Sequence, residues 1–289
     1  MTQAAQIRVT RHTPAYWTAT FDHPPVNVIG PPTILELDAL ISQLETDASV
    51  RVVVFDSANP EFFIAHYDMF VDKAITSAMT PGRSGMHPWL DVLTRLTRVP
   101  VATIACIRGR ARGAGSEFAL ACDMRFASRE KAVLGQFEVG VGAVPGGGPM
   151  ARLPQLMGRG RALEVLLGAD DFGGELAERY GYVNRALPDG ELLPFVDAFA
   201  RRLAGFEKAA IAETKAFVDQ ASLPPDDVFP PALLAFYASV ARPETRARSL
   251  ALAAKGLQTM SDTELRLGHH VAGYVAPAER TPPNPTPTP

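Results

Sequence analysis

Two carboxylates in glycine-rich, apolar surroundings hold most of the chemical promise of this chain. Glu117 ends the run Arg112-Gly113-Ala114-Gly115-Ser116-Glu117, and Glu138 ends Gly135-Gln136-Phe137-Glu138. Before the first run lies an apolar stretch, Val99 to Ile107, that reads as a buried strand; after it, Phe118 to Cys122 reads as a buried helix. Glycines at a strand-to-helix junction let backbone approach a ligand closely. The first N–H groups of such a helix lack intrahelical partners and can hold a negative oxygen. Glu138 stands between Phe137 and Val139, where a lone charge is costly and a raised pKa would suit an acid. The chemistry these types point to is paired acid/base work beside an oxyanion site. Each acid also has a plainer reading: Glu117 as a complement to the helix dipole, and Glu138 as half of a buried structural pair.

The elements that must position these groups follow from periodicity and punctuation. Ile7–Thr10 and Tyr16–Phe21 read as paired short strands, and His23-Pro24-Pro25-Val26-Asn27 breaks that pattern. Ile34, Leu37, Leu40, Ile41 and Leu44 form a helical stripe, and Val50–Phe55 is a compact β-branched strand. Thr76–Pro88, rich in small residues, reads as a mobile loop, and Trp89–Leu96 as a helix. Strands are expected at Met124–Phe126 and Ala132–Leu134, then a second glycine turn at Val144–Gly148 and two helices, the later one over Arg159–Leu167. Four further helices are expected at Leu192–Leu203, Ala209–Gln220, Pro231–Val240 and Thr245–Lys255. Repeated strand–strand–helix order is an α/β pattern, and the absence of one GxGxxG βαβ unit argues against a dinucleotide fold. Pro277–Pro289, with six prolines in thirteen residues, is expected to be disordered.

Composition narrows the partners. The 289 residues are 47% hydrophobic, with net charge −3 and pI near 6.1. No basic run suggests a nucleic acid, and no apolar run reaches the roughly 18–20 residues of a membrane span. The N-terminus has no signal-peptide pattern, so a soluble cytoplasmic protein is expected. Cys106 and Cys122 sit in apolar surroundings and read as buried free thiols. The chain has no CxxC and no HExxH, and a metal site has little support.

Taken together in order, the motifs resemble the enoyl-CoA hydratase/isomerase (crotonase) superfamily. Phe63-Ile64-Ala65-His66-Tyr67-Asp68-Met69 is similar to F-x-A-G-x-D-[LI], and Ile107 to Asp123 is similar to INGxAxGGGxELALACD. Gly135-Gln136-Phe137-Glu138 resembles GxPE. Pro145-Gly146-Gly147-Gly148 with Arg152-Leu153 resembles PGxGGxxRL, and Tyr180 to Asn184 resembles A-x-x-x-GLVN. The likeness covers roughly residues 7 to 255. It implies a crotonase-like α/β spiral of repeated ββα units over residues 1–200. It also implies a helical region over 201–276 used for trimer assembly and pocket closure. The implied ligand is an acyl-CoA thioester, with no separate cofactor and no metal. The implied self-partners are a homotrimer or a dimer of trimers. By position, the thioester oxygen would sit between the backbone N–H groups of Tyr67 and Ala114. The Ala65 carbonyl would meet the adenine amino group, and Val26 would lie near the adenine. Gly113 and Gly146 would line the substrate pocket, and Gln136, also in the substrate site, would help to orient the water or Glu138. Glu117 would help to deprotonate the water attacking C3, and Glu138 would supply the proton to C2.

This chain departs from that pattern where the acyl group should pass. His66 stands for a glycine, Tyr67 for a small residue, Ala114 for the middle glycine and Phe137 for a proline. His66 or Tyr67 is therefore expected either to touch substrate or to turn away from it. Asp68 is expected to brace its loop beside that site, and Arg152 to sit in a structural ion pair. Retention of both acids favours a 2-enoyl-CoA hydratase. The alternatives are double-bond isomerisation, thioester or C–C hydrolysis on the same scaffold, or a non-catalytic binding protein.

Overall fold

The computed structural model describes residues 5–77 and 79–274; the Pro-rich tail expected at 277–289 lies outside them. A hairpin of β1 (Ile7–Thr13) and β2 (Tyr16–Phe21) leads to α1 (Pro31–Thr46), β3 (Val52–Ser57) and β4 (Phe62–Ile64). Next come α2 (Lys73–Ser77), α3 (Pro88–Arg98), β5 (Ala102–Ile107), β6 (Arg110–Arg112) and α4 (Ala114–Ala121). β7 (Met124–Ser128) and β8 (Val133–Gly135) pass through a 3₁₀ turn, Glu138–Val141, into α5 (Pro149–Gly168). The chain continues through β9 (Phe172–Gly173), α6 (Gly174–Tyr180), β10 (Arg185–Leu187) and α7 (Asp189–Ala204). The described residues end with α8 (Lys208–Ser222), α9 (Phe229–Val240), α10 (Pro243–Ala254), α11 (Asp262–Leu265) and α12 (Leu267–Ala272).

Two sheets form, with strand orders β1-β2-β3-β5-β7-β10 and β4-β6-β8-β9. Each successive pair, β3/β4, β5/β6 and β7/β8, gives one strand to each sheet, and helices close the turns. The chain thus advances as a spiral of ββα units, in keeping with the α/β expectation. Within the large sheet β2, β3, β5, β7 and β10 run parallel, which requires both faces to be covered. β3 shows how: Val53 and Phe55 face the main core, while Val52 and Val54 pack with Leu192, Val196 and Ala200 of α7. That is the period-two alternation of a strand buried on both sides.

The main core centres on Phe118 of α4, fully buried and edge-on to Phe21 and Phe55 with ring centroids 5.2 and 5.0 Å away. Since Phe118 is the next residue after Glu117, this anchoring fixes the orientation of the whole glycine-led helix. Two expectations need correction. Thr76–Pro88 is not a plain loop: Thr76 belongs to α2, and the chain after it folds on itself. Gly82 N–H donates to the Met86 carbonyl at 2.9 Å, and Asp91 Oδ1 accepts from Ser84 N–H at 2.7 Å. Arg152 makes no ion pair among the described residues; it is buried, with its guanidinium carbon 5.2 Å from the centre of the Phe229 ring. Desolvation lowers its pKa to about 10.

Phe118→Ala should therefore cost about 3–5 kcal/mol and lower Tm by on the order of 10 °C in a thermal melt. A shift of only a degree or two would contradict this account of the core.

Candidate active site

Glu117 occupies the first turn of α4, with Gly113 as N-cap in a left-handed conformation (φ 48°). A side chain at Gly113 would also collide with Glu138 Oε1, 2.9 Å from where its Cβ would stand. Both carboxylate oxygens of Glu117 accept hydrogen bonds: Oε2 from the Trp89 indole N–H at 2.9 Å and Oε1 from the Gly147 N–H at 2.7 Å. A Cβ on Gly147 would lie 2.0 Å from Oε2, so only glycine allows that approach. Burial raises the Glu117 pKa, against the two donors and the positive charge of Arg152, which lower it.

Glu138 begins the 3₁₀ turn after β8 and is buried. Desolvation first, and the neighbouring charge of Glu117 second, push its carboxyl up to about 8. Gln136, with its amide nitrogen toward Glu138, donates to the two carboxylate oxygens at 3.0 and 3.1 Å. Its amide oxygen then accepts from Ser116 Oγ at 2.9 Å. With Glu138 ionised, the opposite amide orientation would set oxygen against oxygen. The two acids therefore sit close enough to feel each other's charge, but only Glu117 has both oxygens met by N–H donors from outside its own strand-turn.

The loop after β4 passes beside them. Ile29 N–H donates to the His66 carbonyl and Asp68 N–H to the Ile29 carbonyl, a bridge that leaves the Tyr67 N–H facing the other way. No acceptor among the described residues meets the N–H of Tyr67 or of Ala114, the first residue of α4. β4 and β6 are parallel neighbours, so the chains leaving them emerge side by side; the position of a Gly113 Cβ is 3.5 Å from the His66 Cβ. The His66 imidazole is buried and has both nitrogens engaged, Nδ1 with the Tyr67 carbonyl at 2.7 Å and Nε2 with Glu264 at 3.2 Å. Neither nitrogen is left for a substrate, so its placement favours bracing of the loop. Asp68 has the same character: its Oδ1 accepts from Gln258 Nε2 and the Phe70 N–H, each at 2.9 Å. Gln258 also accepts from the Met69 N–H at 2.7 Å. The Tyr67 hydroxyl is buried without a partner among the described residues, and desolvation raises its pKa to about 12.

The remaining predicted positions flank this centre. Val26 is fully buried, and its carbonyl accepts from the Ala65 N–H at 3.2 Å, joining the Pro-rich turn to the loop. The Asn27 side chain locks that turn by donating to Ser57 Oγ at 2.8 Å. Gly146 lies against Phe236 of α9, its would-be Cβ 3.0 Å from the Phe236 Cβ. Sequence reasoning missed Trp89, Gln258 and Glu264, and the hydroxyls of Ser116 and Tyr182. Their partners are remote in sequence, and the one available signal was a tyrosine at 182 where the motif has leucine.

A carboxylate ringed by donors beside one pushed toward its neutral form is the arrangement of a base and an acid. Two unpaired N–H groups from adjacent loops can hold a developing oxyanion. Comparison with known proteins bears on the same site. The family model for enoyl-CoA hydratase/isomerase matches residues 15–228. A short-chain-enoyl-CoA hydratase of Clostridium acetobutylicum is 30% identical over 195 residues, covering 68% of this chain and 74% of the relative. A crotonyl-CoA hydratase of Syntrophomonas wolfei shows the same identity and coverage. A solved Streptomyces avermitilis structure, provisionally named an enoyl-CoA hydratase, aligns with TM-score 0.90 and 44% identity over 96% of this chain and all of its own. Pseudomonas aeruginosa DspI aligns with TM-score 0.70 and 28% identity, covering 88% of this chain and 97% of the other.

Two outcomes follow from the geometry. Because the folded-state pKa of Glu138 is raised, its contribution is fully present below the ordinary carboxylate range and is lost as pH rises toward about 8. Glu138→Gln cannot ionise, so its Tm should exceed that of wild type by a margin that widens over this window; a margin constant with pH would refute the burial argument. His66→Ala should destabilise by about 1–3 kcal/mol, since it takes the imidazole from buried Glu264 and leaves its Oε2 with the Gln258 N–H alone. Adding Glu264→Gln should recover part of that loss in chemical denaturation.

Proposed function

Because this chain belongs to the enoyl-CoA hydratase/isomerase family, we propose that it is a hydratase adding water reversibly across the double bond of a 2-enoyl-CoA thioester. The observation that carries this reading is the pairing of Glu117, whose two oxygens accept N–H donors, with Glu138, buried and pushed up to about 8. In it, the thioester oxygen accepts from the free N–H groups of Tyr67 and Ala114, and charge accumulates there as an enolate. Glu117 takes a proton from water as its oxygen bonds to C3. Glu138 gives its proton to C2, and transfer between the two acids resets the site. Dehydration runs the same steps backward. Trp89 and Gly147 favour an ionised base at Glu117, and burial favours a protonated acid at Glu138, so the division of labour follows from their surroundings. The Ala65 carbonyl and Val26 are proposed to receive the adenine end. CoA belongs to the substrate, and the scheme uses no further cofactor and no metal.

Exposed apolar side chains on α8, α9 and α10, Phe217, Leu234 and Leu250, support self-assembly, which we propose as a homotrimer or a dimer of trimers. On this reading residues 1–200 are the spiral core and 201–276 the assembling, pocket-closing part. No helix among the described residues is long and apolar enough to cross a membrane; a cytoplasmic location is proposed from the family.

The test is an acyl-CoA panel read by mass spectrometry. A product 18 Da heavier from crotonyl-CoA or a longer 2-enoyl-CoA is expected, with kcat lowered about 10²–10⁴-fold in Glu117→Gln. A positional isomer, or release of free CoA, would move the assignment to isomerase or hydrolase. Binding with no turnover of any thioester would make it a binding protein. In a pH profile the hydration rate should fall as pH rises through about 8, where Glu138 loses its proton.

A further inference from the structure

We propose that Tyr182 and Ser116 are positioning residues that hold the Gln136 amide as a hydrogen-bond donor to Glu138, leaving the acid's proton free for the substrate carbon. The inference rests on Glu138 being the acid of the proposed hydratase. Tyr182 follows α6, Ser116 lies in the first turn of α4 and Gln136 follows β8; all three are fully buried. The Tyr182 hydroxyl contacts Ser116 Oγ directly. With the Gln136 amide turned so that both of its ends find partners, its oxygen lies 2.9 Å from Ser116 Oγ and accepts the one proton that Ser116 has. Ser116 Oγ must then accept from Tyr182, whose own pKa burial raises, so that it stays a donor. Donation thus runs one way, from Tyr182 to Ser116 to Gln136, and the amide N–H₂ is left facing Glu138.

The direction matters because a glutamine can either give or take at a carboxyl group. Turned the other way, its oxygen would capture the proton of neutral Glu138 and aim it away from the enolate. It would also stabilise the neutral acid and remove two donors from the ionised one. The charged neighbour facing Glu138 is Glu117 of α4, and Tyr182 is a further titratable group beside it. His66, paired with Glu264, is also near: its Cβ is 3.5 Å from the would-be Gly113 Cβ, which is itself 2.9 Å from Glu138 Oε1. Tyr182 and Ser116 are fully buried and meet Gln136, so their effect passes through it.

Tyr182→Phe and Ser116→Ala, each checked for folding by thermal melt, test this with crotonyl-CoA across pH. Release of the amide should lower kcat by about tenfold, a fraction of the acid's full contribution, with KM within about twofold. The alkaline limb of kcat/KM should move to higher pH by about half a unit or more in both variants, because the neutral acid is now favoured. A purely structural role would lower Tm and leave the limb in place. An unmoved limb with unchanged kcat in both variants, while Glu138→Gln is inactive, overturns the proposal. Full activity in Glu138→Gln overturns it through the acid assignment beneath it, and the two failures are thereby told apart.

Discussion

Two carboxyl groups buried within reach of each other's charge are the constraint around which this molecule is organised. Each would be driven neutral by burial alone, and each discourages ionisation of the other. The structure resolves this unequally. Glu117 receives an indole N–H and a main-chain N–H, while Glu138 receives one glutamine amide and remains pushed toward its neutral form. Two carboxyls of the same residue type are thereby given different surroundings, which on the proposed reading make one a base and the other an acid.

Supplying those donors dictates much of the backbone. Gly147 has to approach Glu117 more closely than any side chain permits, and Gly113 has to turn the chain with positive φ beside Glu138. The spiral makes both possible, since β4, β6 and β8 are neighbours in one sheet and deliver the loop after β4, the start of α4 and the 3₁₀ turn to one edge. Phe118, locked among aromatic rings, keeps α4 from rotating Glu117 out of that edge.

The end of the described chain bears on the same place. Glu264 and Gln258 grip His66, Asp68 and the Met69 N–H, while Arg112 donates to the Glu264 carbonyl at 2.8 Å. A loop whose function, on the proposed reading, is to present one main-chain N–H is held from behind by side chains nearly two hundred positions away. The imidazole that stands where the motif has glycine fills that bracing role.

Much of this was legible locally. The stripe from Ile34 to Leu44, the β-branched run at Val50–Phe55, seen as the strand Val52–Ser57, and the break at Gly158 within α5 follow from periodicity and from glycine's freedom at positive φ. The two acids and their glycine turns were equally plain, because a turn's requirements are written in adjacent residues. Which groups serve those acids was not legible, because hydrogen-bond partners are chosen by packing. Trp89 meets Glu117 across 28 positions, Tyr182 meets Ser116 across 66, and His66 meets Glu264 across 198. The sequence by itself determined that two carboxylates would lie beside glycine-led backbone. The tertiary structure alone decided that Glu117 is met by an indole and a main-chain N–H while Glu138 keeps one nearby amide, because those donors are brought by distant segments.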